Sequence, residues 1–167
     1  MNGDYDVITV GGGLGGAALA KVLAEKGLRV LVAEREKTFK DRIRGEFLAP
    51  WGVAEAQKLG LYDLLLEKCA HEQPFIMFGG TLRDYRTTTP QKLPALTFFH
   101  ATMQEVVLGA AKRAGAEVRR GAVVRQRPTR SARGGNRRIG WYCARTHRSH
   151  RRVCGRTQFL GSILGRI

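Results

Sequence analysis

The sequence predicts an α/β fold, a parallel sheet layered with helices, that ends in an irregular Arg-rich tail. Three observations carry this expectation. A short apolar run, a glycine cluster, a helical run of small residues and a second apolar run succeed one another within the first 34 residues, which is the order of a βαβ unit. Helical and strand periodicities then continue in pieces to about residue 124. Beyond that point the composition breaks. Residues 1–117 hold all fourteen Asp and Glu against fifteen Lys and Arg, whereas residues 118–167 hold fourteen Arg, no Lys and no acid. Almost all of the formal net charge of +15 therefore sits in the last third.

A length of 167 residues suits one domain or a domain with an appendage, and the 43% apolar content suits a soluble globular core. No run of about 18 apolar residues offers a membrane span. The acidic N-terminus, Met1-Asn2-Gly3-Asp4-Tyr5-Asp6, is unlike a basic signal peptide, so a cytoplasmic location is expected. Cys69, Cys143 and Cys154 are too scattered for a disulfide framework. The order Cys143, His147, His150, Cys154 matches none of the usual zinc-finger spacings, and no metal is expected.

The first strand is read over residues 5–10, where Val7, Ile8 and Val10 supply apolar, partly β-branched surface. Gly11-Gly12-Gly13-Leu14-Gly15-Gly16 follows, and the run from Ala17 to Ala24 then gives a helix with a close-packing face. Lys26 and Gly27 suit its end. Residues 29–33 read as a second buried strand, closing on Glu34. Phe47 to Trp51 interrupts any regular pattern. Helical periodicity resumes over 53–66, with a bend at Leu59-Gly60-Leu61. Residues 75–78 and 82–86 resemble a hairpin joined through Gly79-Gly80-Thr81, and 87–94 reads as a loop. A helix is expected over 103–113, and one strand or two short ones over 116–124.

The glycine spacing has a chemical reading. Positions 11, 13 and 16 form Gly-x-Gly-x-x-Gly between a strand and a helix, the arrangement of a Rossmann-like dinucleotide site. Gly11 permits the tight turn, Gly13 lets backbone approach a pyrophosphate, and Gly16 lets helix and strand pack closely. Leu14 and Gly15 complete the loop, whose helix N-terminus presents N–H groups to phosphate charge. Glu34, 21 residues beyond Gly13, is placed to accept hydrogen bonds from ribose hydroxyls, with Arg35 beside it. Its negative charge disfavours a 2′-phosphate, so FAD or NAD is expected rather than NADP. A solvated surface acid at the head of Glu34-Arg35-Glu36-Lys37 is the plain alternative for this residue.

These motifs, together with Arg42-Ile43-Arg44-Gly45-Glu46 and Pro50-Trp51-Gly52-Val53, resemble the FAD-dependent aromatic-hydroxylase-like monooxygenases, the para-hydroxybenzoate hydroxylase-like flavoproteins. The resemblance covers residues 4 to 127. It implies a Rossmann-like FAD-binding three-layer fold, incomplete here, with FAD held at Gly11, Gly13, Gly16 and Glu34. By the same resemblance Arg44 contacts FAD phosphate or ribose and Arg42 assists, the other reading being surface ion pairs with Asp41 and Glu46. Where relatives place an Arg near the start of a later helix, this chain has His100, with Gln104 as its companion; His100 is either a cofactor contact or an ordinary helix-start residue. Val118 and Val124 fall near the adenine side. The implied chemistry uses FAD reduced by NADH or NADPH as a transient electron donor, and dioxygen, to hydroxylate a small organic substrate, aromatic or polyketide-like.

After Val124 the resemblance calls for a second motif, Gly-Ala-Asp-Gly-x-x-Ser, and a substrate domain, neither of which appears. Turnover by the isolated chain is accordingly not expected. Cys154-Gly155-Arg156-Thr157-Gln158-Phe159 can be encoded by codons that read Ala-Asp-Gly-Arg-Asn-Ser in the neighbouring frame. Residues 1–127 are thus expected to form a partial FAD-binding domain, and 128–167 a basic tail that is disordered or frame-shifted. The competing function is a non-catalytic dinucleotide-binding protein whose Arg-rich tail binds nucleic acid or another polyanion. Nucleic acid is the less favoured partner, because the tail carries no recognised nucleic-acid fold.

Overall fold

The computed structural model describes residues 5–41, 46–126, 141–146 and 152–156. The chain opens with β1 (Val7–Val10), α1 (Leu14–Glu25) and β2 (Val30–Glu34). It continues through β3 (Phe47–Leu48), α2 (Pro50–Lys58), α3 (Tyr62–Lys68), β4 (Ala70–Gln73), β5 (Phe75–Phe78), β6 (Thr81–Asp84), α4 (Tyr85–Thr88), β7 (Ala95–Phe98) and α5 (His100–Arg113). It ends with β8 (Glu117–Arg120), β9 (Ala122–Gln126), β10 (Trp141–Thr146) and β11 (Arg152–Arg156). These form two compact units, residues 1–38 with 111–167, and residues 39–110.

In the first unit β2 is the middle strand of a parallel sheet ordered β1-β2-β8, with Val7 opposite Val30 and Glu34 opposite Arg120. Every residue of β2 is buried, as a central parallel strand requires. Helix α1 packs on β1 and β2 through Ala17, Ala18, Ala20 and Ala24, all buried, while Leu19 on the far side is half exposed. Small side chains bring the helix axis close to the sheet. The helix ends in a Schellman motif, with Gly27 in the left-handed region at φ +81°, Gly27 N–H donating to the Ala24 carbonyl and Leu28 N–H to that of Leu23. A second sheet is antiparallel, ordered β11-β10-β9, so the 128–167 stretch contributes two strands that residue patterning had not signalled.

A clasp closes the first unit at the start of its sheet. The Tyr5 hydroxyl donates to Glu117 and accepts from Arg119 Nη2 at 3.1 Å, and the Arg119 guanidinium also binds Glu117. Burial pushes the Glu117 carboxyl up, but the hydrogen bonds from Tyr5 and Arg119 outweigh it and hold the group below its ordinary value of 4.5. A carboxylate depressed in the folded state stabilises above its unfolded value and loses that contribution as pH falls through the folded one. Tyr5→Phe is therefore expected to cost about 0.5–1.5 kcal/mol at neutral pH. The difference from the parent should shrink in acid, read as urea midpoints across a pH series.

The second unit is built around an antiparallel sheet ordered β3-β7-β4, whose central strand β7 buries Ala95, Leu96 and Phe98. Helices α2 and α3 meet at the expected bend, where Gly60 has φ +62° and the Leu61 N–H reaches the Ala56 carbonyl. The hairpin β5–β6 also forms as expected, with Met77 opposite Leu82 and positive φ at both Gly79 and Gly80. Three details differ from the sequence expectation. The 47–51 stretch is ordered: Phe47 and Leu48 pair with β7, and Pro50 opens α2 at a position where a missing N–H costs nothing. Residues 85–88 form a single helical turn whose N-cap Asp84 accepts from the Arg86 backbone N–H and holds its guanidinium, so these residues make a polar hairpin edge. Helix α5 begins at His100 rather than at Met103.

Candidate cofactor site

The glycine loop lies at the carboxyl end of β1, where parallel sheets commonly hold their ligands. Gly11 takes φ +98°, a conformation costly for any side-chain-bearing residue, and its N–H donates to the Ala33 carbonyl at 2.9 Å. The turn folds the Gly11 carbonyl over α1 so tightly that a Cβ on Gly16 would lie 2.1 Å from that oxygen. Gly13 is the extended N-cap of α1, and the Ala17 N–H donates back to its carbonyl at 2.9 Å. No side chain caps this helix and no acid occupies its first turn. First-turn N–H groups have no partner within their own helix, so an uncapped N-terminus suits a phosphate. A Cβ added at exposed Gly15 would meet nothing within 4 Å.

Glu34 ends β2 beside this loop and is only 7% exposed. Its Oε2 accepts from the Gly12 N–H at 2.5 Å and its Oε1 from the Glu36 N–H at 2.7 Å. A carboxylate has about four acceptor positions, so capacity for ribose hydroxyls remains. The solvated-acid reading of Glu34 is thereby overturned. Sequence reasoning had assigned Gly12 no role; its signal was the unbroken run Gly11-Gly12-Gly13, where Gly-x-Gly requires only two glycines.

The other expected residues are distributed as follows. Arg35 is exposed and pairs with Glu36 at 3.5 Å. Beside Glu34 in register, Arg120 donates from Nη1 to the Lys37 carbonyl at 3.0 Å. Val118 lies opposite Val32 in the sheet, and Val124 packs on Ala33 and Ala122. His100 and Gln104 lie on α5 in the second unit. The His100 N–H reaches Glu46 Oε1 at 3.5 Å, and its Nδ1 is buried without a hydrogen-bond partner among the described residues, as is the Thr9 hydroxyl behind the loop. Arg42 and Arg44 fall outside the described residues. Among the described residues no group of three or more His, Cys, Asp or Glu is arranged to hold a metal ion, and no helix is long and apolar enough to cross a membrane.

The Gly11–Gly13 turn without side chains, the uncapped helix end and the buried acid with spare acceptor capacity fit the diphosphate and ribose of an adenine dinucleotide. Comparison with known proteins specifies which one. The family described as FAD binding domain matches residues 4–132, well over half of the chain. A squalene monooxygenase of Panax ginseng is 52% identical over 96 residues, covering 58% of this chain and 17% of that protein. A squalene monooxygenase of Eremothecium gossypii is 33% identical over 102 residues, covering 56% of this chain and 20% of its own length. The chain thus spans about a fifth of the length of these curated relatives. Among solved structures, p-nitrophenol 4-monooxygenase of Pseudomonas putida superposes with a TM-score of 0.70 at 20% identity, over 94% of this chain and 40% of that one. That likeness concerns the fold, and it agrees with the resemblance to FAD-dependent aromatic-hydroxylase-like proteins. With its glycine loop, its buried Glu34 and a match running from residue 4 to residue 132, the chain belongs to the FAD-binding domain family.

Proposed function

We propose that this chain is the FAD-holding part of a flavoprotein monooxygenase that uses NADH or NADPH and dioxygen to oxygenate a small organic substrate. The observation that carries the reading is the uncapped α1 N-terminus that follows the Gly11–Gly13 turn, with Glu34 buried beside it, in a member of the FAD-binding domain family. In this reading Gly11 to Gly16 take the pyrophosphate and Glu34 the ribose. Arg42, Arg44, His100, Gln104 and Val124 are the further cofactor contacts that the family resemblance supports, and Arg35 is a candidate only by its place beside Glu34. Bound FAD supplies electron transfer to dioxygen; the chain's own contribution is to hold the adenosine diphosphate half and fix its orientation.

An aromatic or polyketide-like substrate is supported by the hydroxylase resemblance. A second substrate reading, an isoprenoid hydrocarbon, is supported by the squalene monooxygenases among the relatives. Purified chain should be yellow or take up FAD with quenching of flavin fluorescence. NAD(P)H oxidation and oxygen uptake by the longer protein that a restored reading frame encodes, assayed with an aromatic and an isoprenoid substrate, then separate the two readings. Colourless protein that takes up no added FAD rules out the cofactor role itself. The competing polyanion-binding reading rests on the Arg-rich stretch and expects nucleic-acid retention that weakens steeply with salt.

Residues 128–167 we read as translated from a shifted frame. The family match stops at residue 132, close to the charge break, and the neighbouring-frame reading of Cys154 to Phe159 supports the same view. Sequencing the coding DNA in all three frames beyond codon 128 tests it. Absence of any frame that yields Ala-Asp-Gly there removes the proposal.

A further inference from the structure

We infer that Glu34 is a positioning residue for the glycine loop itself, a strut that sets the phosphate-binding turn before any cofactor arrives, in addition to its proposed ribose contact. The inference rests on the FAD-site reading only for its second consequence below.

The geometry is that of a bridge. One carboxylate oxygen holds the Gly12 N–H at 2.5 Å and the other the Glu36 N–H at 2.7 Å, so a single buried side chain ties the β1–α1 turn to the residues following β2. Gly12 is itself buried, and an unmade hydrogen bond there would leave a desolvated donor. Gly11, one residue earlier, is tied to the same strand through the Ala33 carbonyl at 2.9 Å. Two successive turn N–H groups are therefore fixed to the end of β2, one by backbone and one by Glu34. The glycines alone would leave this turn many conformations. Anchoring both ends of the Gly11–Gly12 step removes that freedom, so binding does not have to order the loop. The bridge needs both the length of Glu and two acceptor oxygens. Aspartate is one methylene short of spanning both donors, and glutamine presents an amide NH2 to one of them.

The test is amide hydrogen exchange on the full chain without FAD, followed by FAD titration. In the parent, the Gly12 amide should be protected to within about tenfold of the Val32 amide in β2, although it lies in a loop. Glu34→Gln and Glu34→Asp should each accelerate Gly12 exchange about tenfold or more while Val32 protection is kept, and should weaken FAD binding by at least a similar factor. A Gly12 amide that exchanges as freely in the parent as an exposed loop amide overturns the strut without any variant. Unchanged Gly12 exchange in both variants, with weaker FAD binding, also overturns it and leaves Glu34 a ribose ligand only. Accelerated exchange in a chain that takes up no FAD keeps the strut and removes the cofactor reading, so the two failures are distinguishable.

Discussion

Gly16→Ala is expected to abolish FAD retention and to destabilise the first unit by about 1–3 kcal/mol or more, the usual cost of forcing atoms into a packed contact. The added Cβ would lie 2.1 Å from the Gly11 carbonyl oxygen and 3.3 Å from its carbon. Neither can swing aside as a side-chain tip would, because Gly11 is tied by its own N–H to the Ala33 carbonyl. Relief requires α1 to withdraw from β1 or the turn to unfold, and either movement displaces the N–H groups proposed to take the phosphates. Gly15→Ala is the matched control. Its Cβ enters open space and its φ is not in the left-handed region, so the fold should be at least as stable. Denaturation midpoints and FAD titrations of both variants read the two effects separately. Parental FAD affinity in Gly16→Ala would show that the tight turn is not what holds the cofactor.

The contrast between these neighbouring glycines shows where sequence reasoning reaches and where it stops. The order of strand, glycine run, small-residue helix, strand and acid was legible because each piece is local: β-branched residues, Gly27 at a helix end and buried alanines at helical spacing all act within one turn or one strand. The α2–α3 bend and the β5–β6 turn were legible for the same reason, since Gly60, Gly79 and Gly80 adopt positive φ. What escaped depends on partners far along the chain. In β4 only Ala70 is buried, and His71, Glu72 and Gln73 are exposed, so nothing in that tetrapeptide announces a strand; it exists because Ala70 to Gln73 pairs with β7. Strand β7 is short and follows Pro94, and its identity comes from having β3 on one side and β4 on the other. Pro50-Trp51 did carry a readable signal, a proline at the first helical position, which the aromatic cluster around it obscured.

The site shows the same division. Spacing alone singles out Glu34, but its grip on Gly12 and Glu36 is a consequence of how the β1–α1 turn lies against the end of β2. Arg35, chosen for its proximity in sequence, points to solvent and pairs with Glu36, as alternation along an extended segment would place it. Val124 was assigned to the adenine side, and in the first unit it is found against Ala33 and Ala122, one residue from Glu34. A residue so placed supports the strand end that carries the acid.

The largest packing effect is expected on the buried face of α1. Ala17 and Ala20 are fully buried, and the helix packs on both β1 and β2. Ala20→Leu inserts three heavy atoms at a fully buried position, at a cost of about 1–3 kcal/mol against a total stability of only about 5–15 kcal/mol for a domain of this kind. The helix can accept the new side chain only by lifting from the sheet. Its N-terminus then moves with respect to Gly11 and Glu34, so FAD affinity should fall together with the denaturation midpoint. Leu19→Ala removes a half-exposed side chain from the opposite face and should change neither by more than about 0.5 kcal/mol. A lowered midpoint in Ala20→Leu with unaltered FAD affinity would mean that the glycine turn is held by its own backbone ties to β2 and not by the seating of α1. Loss of both would tie the alanine face to the proposed cofactor site as firmly as the glycines.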